Sequence, residues 1–105
     1  MVAEVTPAEL KARLDGGEPP LVVDVRDEWE VETAPFPGAV HIEMADLAEA
    51  LNTLPRDREI VALCHHGGRS FTVAMMLESA GFRATNLEGG IDAWARTVDP
   101  SVPSY

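Results

Sequence analysis

A second cysteine is missing from this chain of 105 residues, so no disulfide can form within it. A fold held by packing alone, with one free thiol, fits a reducing compartment, and a cytoplasmic location is the expectation. Positive charge is scarce too: 8 Lys and Arg stand against 18 Asp and Glu, a formal net charge of -10. Such a surface argues against nucleic acid and anionic membrane as partners. It also repels small anions at long range, so receiving one would take a local positive site. No apolar run is long enough to span a bilayer. Met1-Val2-Ala3-Glu4 lacks the basic start and apolar core of a secretory signal. What remains is ordinary for a globular protein, with 46% hydrophobic and 25% charged residues. One domain over residues 1–105 with one core is expected, ending in a polar, proline-bearing tail from Asp99-Pro100 onward.

Strand and helix signals alternate along the chain. Val2 to Val5 reads as a short edge strand. Thr6-Pro7-Ala8-Glu9 is a helix start, with Thr6 as cap, Pro7 in the first turn and Glu9 where a capping box needs it. Leu21-Val22-Val23-Asp24-Val25 is a β-branched run suited to a strand buried on both faces. Asp24 and Arg26 at its end read as an ion pair or loop organiser. Asp27 caps a turn or two of helix, the prolines of Ala34-Pro35-Phe36-Pro37-Gly38 enforce an irregular turn, and Ala39 to Ile42 is a short strand. Asp46 to Leu54 has Leu47, Leu51 and Leu54 spaced for one helix face, stopped by Pro55. Glu59 to Leu63 is a second buried strand. From Ser70 a helix follows, with Val73, Met76, Leu77 and Ala80 as its apolar face and Gly81 as its end. Phe82 to Leu87 is a strand, Glu88-Gly89-Gly90 a sharp turn, and Ile91 opens a last helix. This order predicts an α/β fold around a mainly parallel sheet, whose working site lies beyond the carboxyl ends of the strands.

Cys64, the only cysteine, stands at that end of its strand. Three features favour its thiolate. The following loop runs into a helix N-terminus, whose unpaired N–H groups favour an anion. Gly67 and Gly68 allow the backbone to turn N–H groups inward as a nest. Arg69 adds a permanent charge with a fork that fits an oxyanion. A lone cysteine is more often a packed core residue, but a cysteine and an arginine at the two ends of a glycine turn are hard to explain as packing. His65 and His66 line the mouth of such a pocket and add partial positive charge. A metal held by Cys64, His65 and His66 is disfavoured, because adjacent side chains in a tight loop rarely converge on one ion. His41 reads as a structural strand residue.

Three stretches carry a resemblance to the rhodanese-like single-domain sulfurtransferases. The first is Leu21-Val22-Val23-Asp24-Val25-Arg26 with Pro37-Gly38-Ala39 and His41-Ile42. The second is Cys64-His65-His66-Gly67-Gly68-Arg69-Ser70, and the third runs from Asn86 to Trp94. Their order along the chain is the family's. The resemblance implies a rhodanese-like fold, a central mainly parallel sheet of about five strands with helices on both faces. It implies a persulfide on Cys64, loaded from a small donor such as thiosulfate or a persulfide and discharged to a thiophilic acceptor such as cyanide or a thiol, with a protein acceptor or a sulfur-carrier role as the alternative. No cofactor and no metal are expected. His65, His66, Gly67, Gly68, Arg69 and Ser70 become substrate-binding residues, their backbone N–H groups holding the outer sulfur and Arg69 the donor's oxyanion. Asp24, Arg26 and Glu88 become loop anchors. Thr33-Ala34-Pro35-Phe36 departs from the glycine- and histidine-bearing approach common in the family and is expected near the pocket rim. A phosphatase of the cell-cycle dual-specificity type shares this fold, but with a loop one residue longer. Cys64 to Arg69 counts 6 residues inclusive, the shorter form, which favours sulfur.

Overall fold

The two β-branched runs form the middle of the sheet. In the structure, a computed structural model that describes residues 2–105, they become β2 (Leu21–Asp24) and β4 (Ile60–Leu63). These are parallel neighbours with Leu21 opposite Ile60 and Asp24 opposite Leu63. β5 (Ala84–Leu87) lies on the far side of β4. β1 (Ala3–Val5) and β3 (Val40–His41) form the edges, giving the order β1-β5-β4-β2-β3 with every pairing parallel.

Successive strand side chains face opposite ways, so these strands feed two cores. Val22, Val61, Leu63 and Leu87 pack with Leu10 of α1 (Pro7–Leu14) and with Ile91 and Trp94 of α5 (Gly90–Thr97). Val23, Ile60, Ala62 and Cys64 pack with Leu47 of α3 (Leu47–Ala50) and with Val73, Ala74 and Leu77 of α4 (Gly68–Ser79). Each fully buried aliphatic side chain contributes roughly 1.5–3 kcal/mol relative to exposure. The expected capping box on α1 is present: the Glu9 amide donates to Thr6 Oγ1 at 3.2 Å and the Thr6 amide to Glu9 Oε1 at 2.9 Å. Asp27 and Glu30 form a second box at α2 (Glu28–Thr33).

The topology creates the crevice. From β2 the chain passes through α2 to the edge strand β3, whereas from β4 it passes through α4 to β5 in the opposite direction. Where neighbouring strands send their connections apart, their carboxyl ends open a pocket. Cys64 follows β4 there, and the segment from Val25 to Glu30 follows β2.

Four expectations change. The helix expected over Asp46 to Leu54 is three short pieces: a 3₁₀ turn Met44–Asp46, α3, and a 3₁₀ turn Leu51–Thr53. The Thr53 hydroxyl donates to the Ala50 carbonyl at 2.7 Å, a local bond that competes with helix continuation, and Pro55 forbids recovery. The apolar face of α4 is phased one turn earlier, through Ser70, Val73, Ala74 and Leu77, and Met76 is 48% exposed. Thr33 to Phe36 is only half exposed: Thr33 and Pro35 face outward, and the Ala34 carbonyl receives Arg26 Nη2. Ala34 and Phe36 are buried in the α1/α5 core, with Phe36 4.8 Å from the Trp94 ring centroid, so these two residues of the stretch serve packing. The tail is not merely polar either: Val102 and Tyr105 pack against that same core.

Candidate active site

β4 delivers Cys64 into the crevice, where the residue is 1% exposed. Gly67 then adopts φ +107°, a conformation that costs an L side chain dearly, and turns the chain into α4. The turn aims the Gly67 amide at Cys64 Sγ (3.1 Å) and the Ser70 amide at the same sulfur (3.3 Å). Gly68 and Arg69 open α4, so their N–H groups have no intrahelical acceptor and remain available at the same helix end. Ser70 Oγ lies 3.2 Å from Sγ but also 2.5 Å from Asn86 Oδ1. A hydroxyl has one proton, and the shorter contact claims it. Ser70 Oγ is therefore left as an acceptor for a hydrogen bond from the Cys64 S–H, while two backbone N–H groups support the thiolate.

The loop is held from behind by residues of the third sequence stretch. Asn86, buried in β5, donates through Nδ2 to the Gly67 carbonyl (3.1 Å) and to Glu4 Oε2 (2.9 Å) while receiving Ser70. The N-terminus of α5 takes the loop's carbonyls: the Ile91 amide donates to Cys64 O at 2.8 Å and the Asp92 amide to His65 O at 3.0 Å. Both carbonyls thus turn away from the sulfur. This approach needs a glycine at position 90, where a Cβ would meet His65 O at 2.4 Å and Cys64 O at 2.5 Å.

The rim is a chain of side chains. Arg69, at the far end of the loop, is clamped by both oxygens of Glu30, at 2.6 and 2.8 Å. The Glu30 side chain is 4% exposed and that of Arg69 37%. Tyr105 donates its hydroxyl to Glu30 Oε2 (2.9 Å) and receives Arg26 Nη1 (2.9 Å). Its ring stacks on His65 at 4.1 Å, and His65 in turn stacks on His66 at 3.9 Å. The Arg69 guanidinium, with desolvation opposing it, holds the Glu30 carboxyl down at about 2. Burial pushes the Tyr105 phenol up to about 12, and burial, with the neighbouring His66, lowers His65 below its ordinary value. At neutral pH the rim therefore carries an ionised Glu30, an un-ionised Tyr105 and a neutral His65.

Asp24 and Arg26 form the expected buried ion pair, Nη2 to Oδ2 at 2.7 Å. Arg26 spends its other donors on the Ala34 carbonyl (2.8 Å) and Tyr105. The pair thus braces α2 and the rim, and it reaches the cysteine loop through Tyr105, whose ring stacks on His65. Glu88 is exposed, and its backbone amide donates to Val5 O at 2.9 Å. Asn86 holds the loop directly, through its bond to the Gly67 carbonyl. His41 Nε2 sits 2.6 Å from the Arg26 carbonyl, a structural role as read from sequence. Glu30, Asn86 and Tyr105 escaped the sequence reading as site residues. Asn86 lay inside the third stretch. Glu30 carried a local signal only as a capping residue, and Tyr105 carried none.

His65 and His66 are joined by Asp92, their ligand atoms lying within 4.8 Å of one another. Imidazole binds a metal in its ring plane, and two rings stacked at 25° share no such point close to both. The rings must rotate before these three can hold one ion.

The family model described as a rhodanese-like domain matches residues 6–97. The chain is 38% identical over 99 residues to "Putative sulfurtransferase YtwF" of Bacillus subtilis, covering 94% of this chain and 96% of that protein. It is 36% identical over 103 residues to a sulfurtransferase of Allochromatium vinosum, covering 97% and 96%. A rhodanese-like domain protein from Staphylococcus aureus superposes with a TM-score of 0.87 at 32% identity, covering 99% of each chain.

Proposed function

The chain belongs to the family of rhodanese-like domains, and from that premise we propose that it transfers sulfane sulfur through a persulfide on Cys64. The observation that carries this reading is the pair of amides, from Gly67 and Ser70, aimed at one sulfur atom at the head of a helix. Such a cup suits a sulfur that must be an anion before attack and again while it carries cargo. In the first half-reaction the Cys64 thiolate attacks the outer sulfur of the donor. An Sγ–S bond forms, the donor's own S–S bond breaks, and its electron pair leaves with the remainder: sulfite from thiosulfate, a thiolate from an organic persulfide. In the second, cyanide or a thiol attacks the outer sulfur and Cys64 leaves as thiolate. Each nucleophile attacks as its anion, and the amides of the cup support Cys64 in that form. Gly68 and Arg69 contribute the further N–H groups available to the outer sulfur, and His65 and His66 stand at the mouth.

Cys64 is the only cysteine, so no resolving thiol within the chain can take the sulfur. The acceptor is external, which leaves room for a protein thiol and a carrier role. A phosphatase is disfavoured by the short loop between Cys64 and Arg69. Intact-mass analysis after treatment with thiosulfate or glutathione persulfide tests the reading. One added sulfur atom is expected on the wild type and none on Cys64→Ser. No adduct from either donor, with phosphate released from an aryl phosphate, would overturn it.

A further inference from the structure

Arg69 is the residue placed to receive a donor's oxyanion, yet its guanidinium is already filled. Glu30 occupies the fork with both oxygens, in the bidentate geometry that a sulfonate or sulfate group would need. Glu30 is itself fixed from two further sides. Its Oε1 accepts the Asp27 amide at 3.1 Å as part of the α2 cap, and its Oε2 accepts the Tyr105 hydroxyl at 2.9 Å. Tyr105 is fixed in turn by Arg26 and by the His65 stack, and Trp29 meets its ring edge-on at 5.6 Å. The contacts run from His65, second in the loop, through Tyr105 and Glu30 to Arg69, sixth in the loop. One side chain, coming from the tail, thereby ties both rims of the pocket.

We propose that Tyr105 is a specificity-determining residue of the sulfur site: by clamping Glu30 onto Arg69 it masks the guanidinium, and so turns the site against donors whose sulfane sulfur is attached to an oxyanion. The proposal rests on the sulfur-transfer reading. The masked site takes sulfur from an organic persulfide. The Cys64 thiolate attacks the outer sulfur of R–S–SH, the Sγ–S bond forms, the R–S to SH bond breaks, and R–S⁻ leaves with the electron pair. Charge is conserved and no oxidant or reductant enters. Thiosulfate must instead bring a dianion up to a neutralised Arg69 in a protein of net charge -10 and release a dianion there. To use Arg69 it must first displace Glu30.

The test compares sulfur loading of Cys64 from glutathione persulfide and from thiosulfate, each as kcat/KM by intact mass, in wild type, Tyr105→Phe and Glu30→Gln. Tyr105→Phe keeps the ring on His65 and removes only the hydroxyl. Glu30→Gln keeps a cap for α2 and removes only the charge. The wild type is expected to prefer the persulfide. The ratio of thiosulfate to persulfide use should rise about threefold in Tyr105→Phe and about tenfold in Glu30→Gln, the scale of one hydrogen bond to a charged group. A general loosening of the fold would move both donors together and leave the ratio alone. A wild type that prefers thiosulfate, or a ratio unmoved in both variants, overturns the proposal while leaving sulfur transfer intact. Loading from neither donor overturns the sulfur-transfer reading and this proposal with it.

Discussion

Asn86 ties together three parts of the chain: Ser70 in α4, Gly67 in the cysteine loop and Glu4 in β1. Its removal takes from the buried Ser70 hydroxyl its shortest hydrogen bond and from the Gly67 carbonyl one of its two amide donors, the Phe71 amide remaining. Each lost hydrogen bond costs about 0.5–1.5 kcal/mol net. Asn86→Ala is expected to lose about 2 kcal/mol in urea denaturation. The Gly67 turn also loses the side chain that braces its carbonyl, so the amide aimed at Sγ is no longer held in place and sulfur loading should fall by about tenfold. A stability loss with no change in loading would mean that α5 alone shapes the loop. The residues that the sequence concealed share one property. Asn86 stands 16 positions from Ser70, Glu30 39 from Arg69, and Tyr105 75 from Glu30. Local pattern reports what a residue does to its own turn, and each of these acts on a distant one.

At the scale of elements, the order of strands and helices was legible because burial on both faces of a parallel sheet leaves an unmistakable mark, as in Val22-Val23 and Ile60 to Leu63. The phase of α4 was not, because Ser70 occupies the first core-facing position with a polar side chain spent on Asn86 and Cys64. α3 was misread because leucine spacing says nothing of a Thr53 hydroxyl that prefers its own Ala50 carbonyl. The short helix α2 links fold to site, since Glu30 is both its third residue and the partner of Arg69. The Glu30 carboxyl titrates at about 2, against an ordinary 4.5 in the unfolded chain. A depressed folded value means that the stabilisation is fully present above about 4.5 and is lost as pH falls toward 2. Because Arg69 is more than a third exposed, solvent screening limits the gain to roughly 2 kcal/mol. Urea midpoints measured from pH 6 down to pH 2 should fall along that window in the wild type. Glu30→Gln should be less stable at pH 6 and show a shallower decline. Parallel curves would place the acid sensitivity elsewhere.

At the scale of the whole molecule, a net charge of -10 surrounds a site whose rim cation is neutralised by its own carboxylate. Nothing at long range then attracts an anion, and the general field opposes it. Salt screens that field over about 10 Å at 0.1 M. Raising ionic strength from about 10 mM to 0.15 M should therefore speed loading from thiosulfate, roughly threefold. Initial rates at constant pH measure this. A rate that falls with salt would mean that Arg69 attracts donor despite Glu30. No helix among the described residues is long and apolar enough to cross a membrane.

The bonds from Ile91 and Asp92 to the carbonyls of Cys64 and His65 also fix when the site can exist. The cysteine leaves the ribosome well before its cup does. Until residues 86–92 have emerged and β5 has paired with β4, the Gly67 turn has no Asn86 to rest on and the loop carbonyls have no helix to receive them. During synthesis the thiol is therefore an ordinary one on an unfinished sheet. Its chemistry switches on with the closing of the fold, and a chain cut short before Asn86 keeps the nucleophile without the pocket that makes it useful.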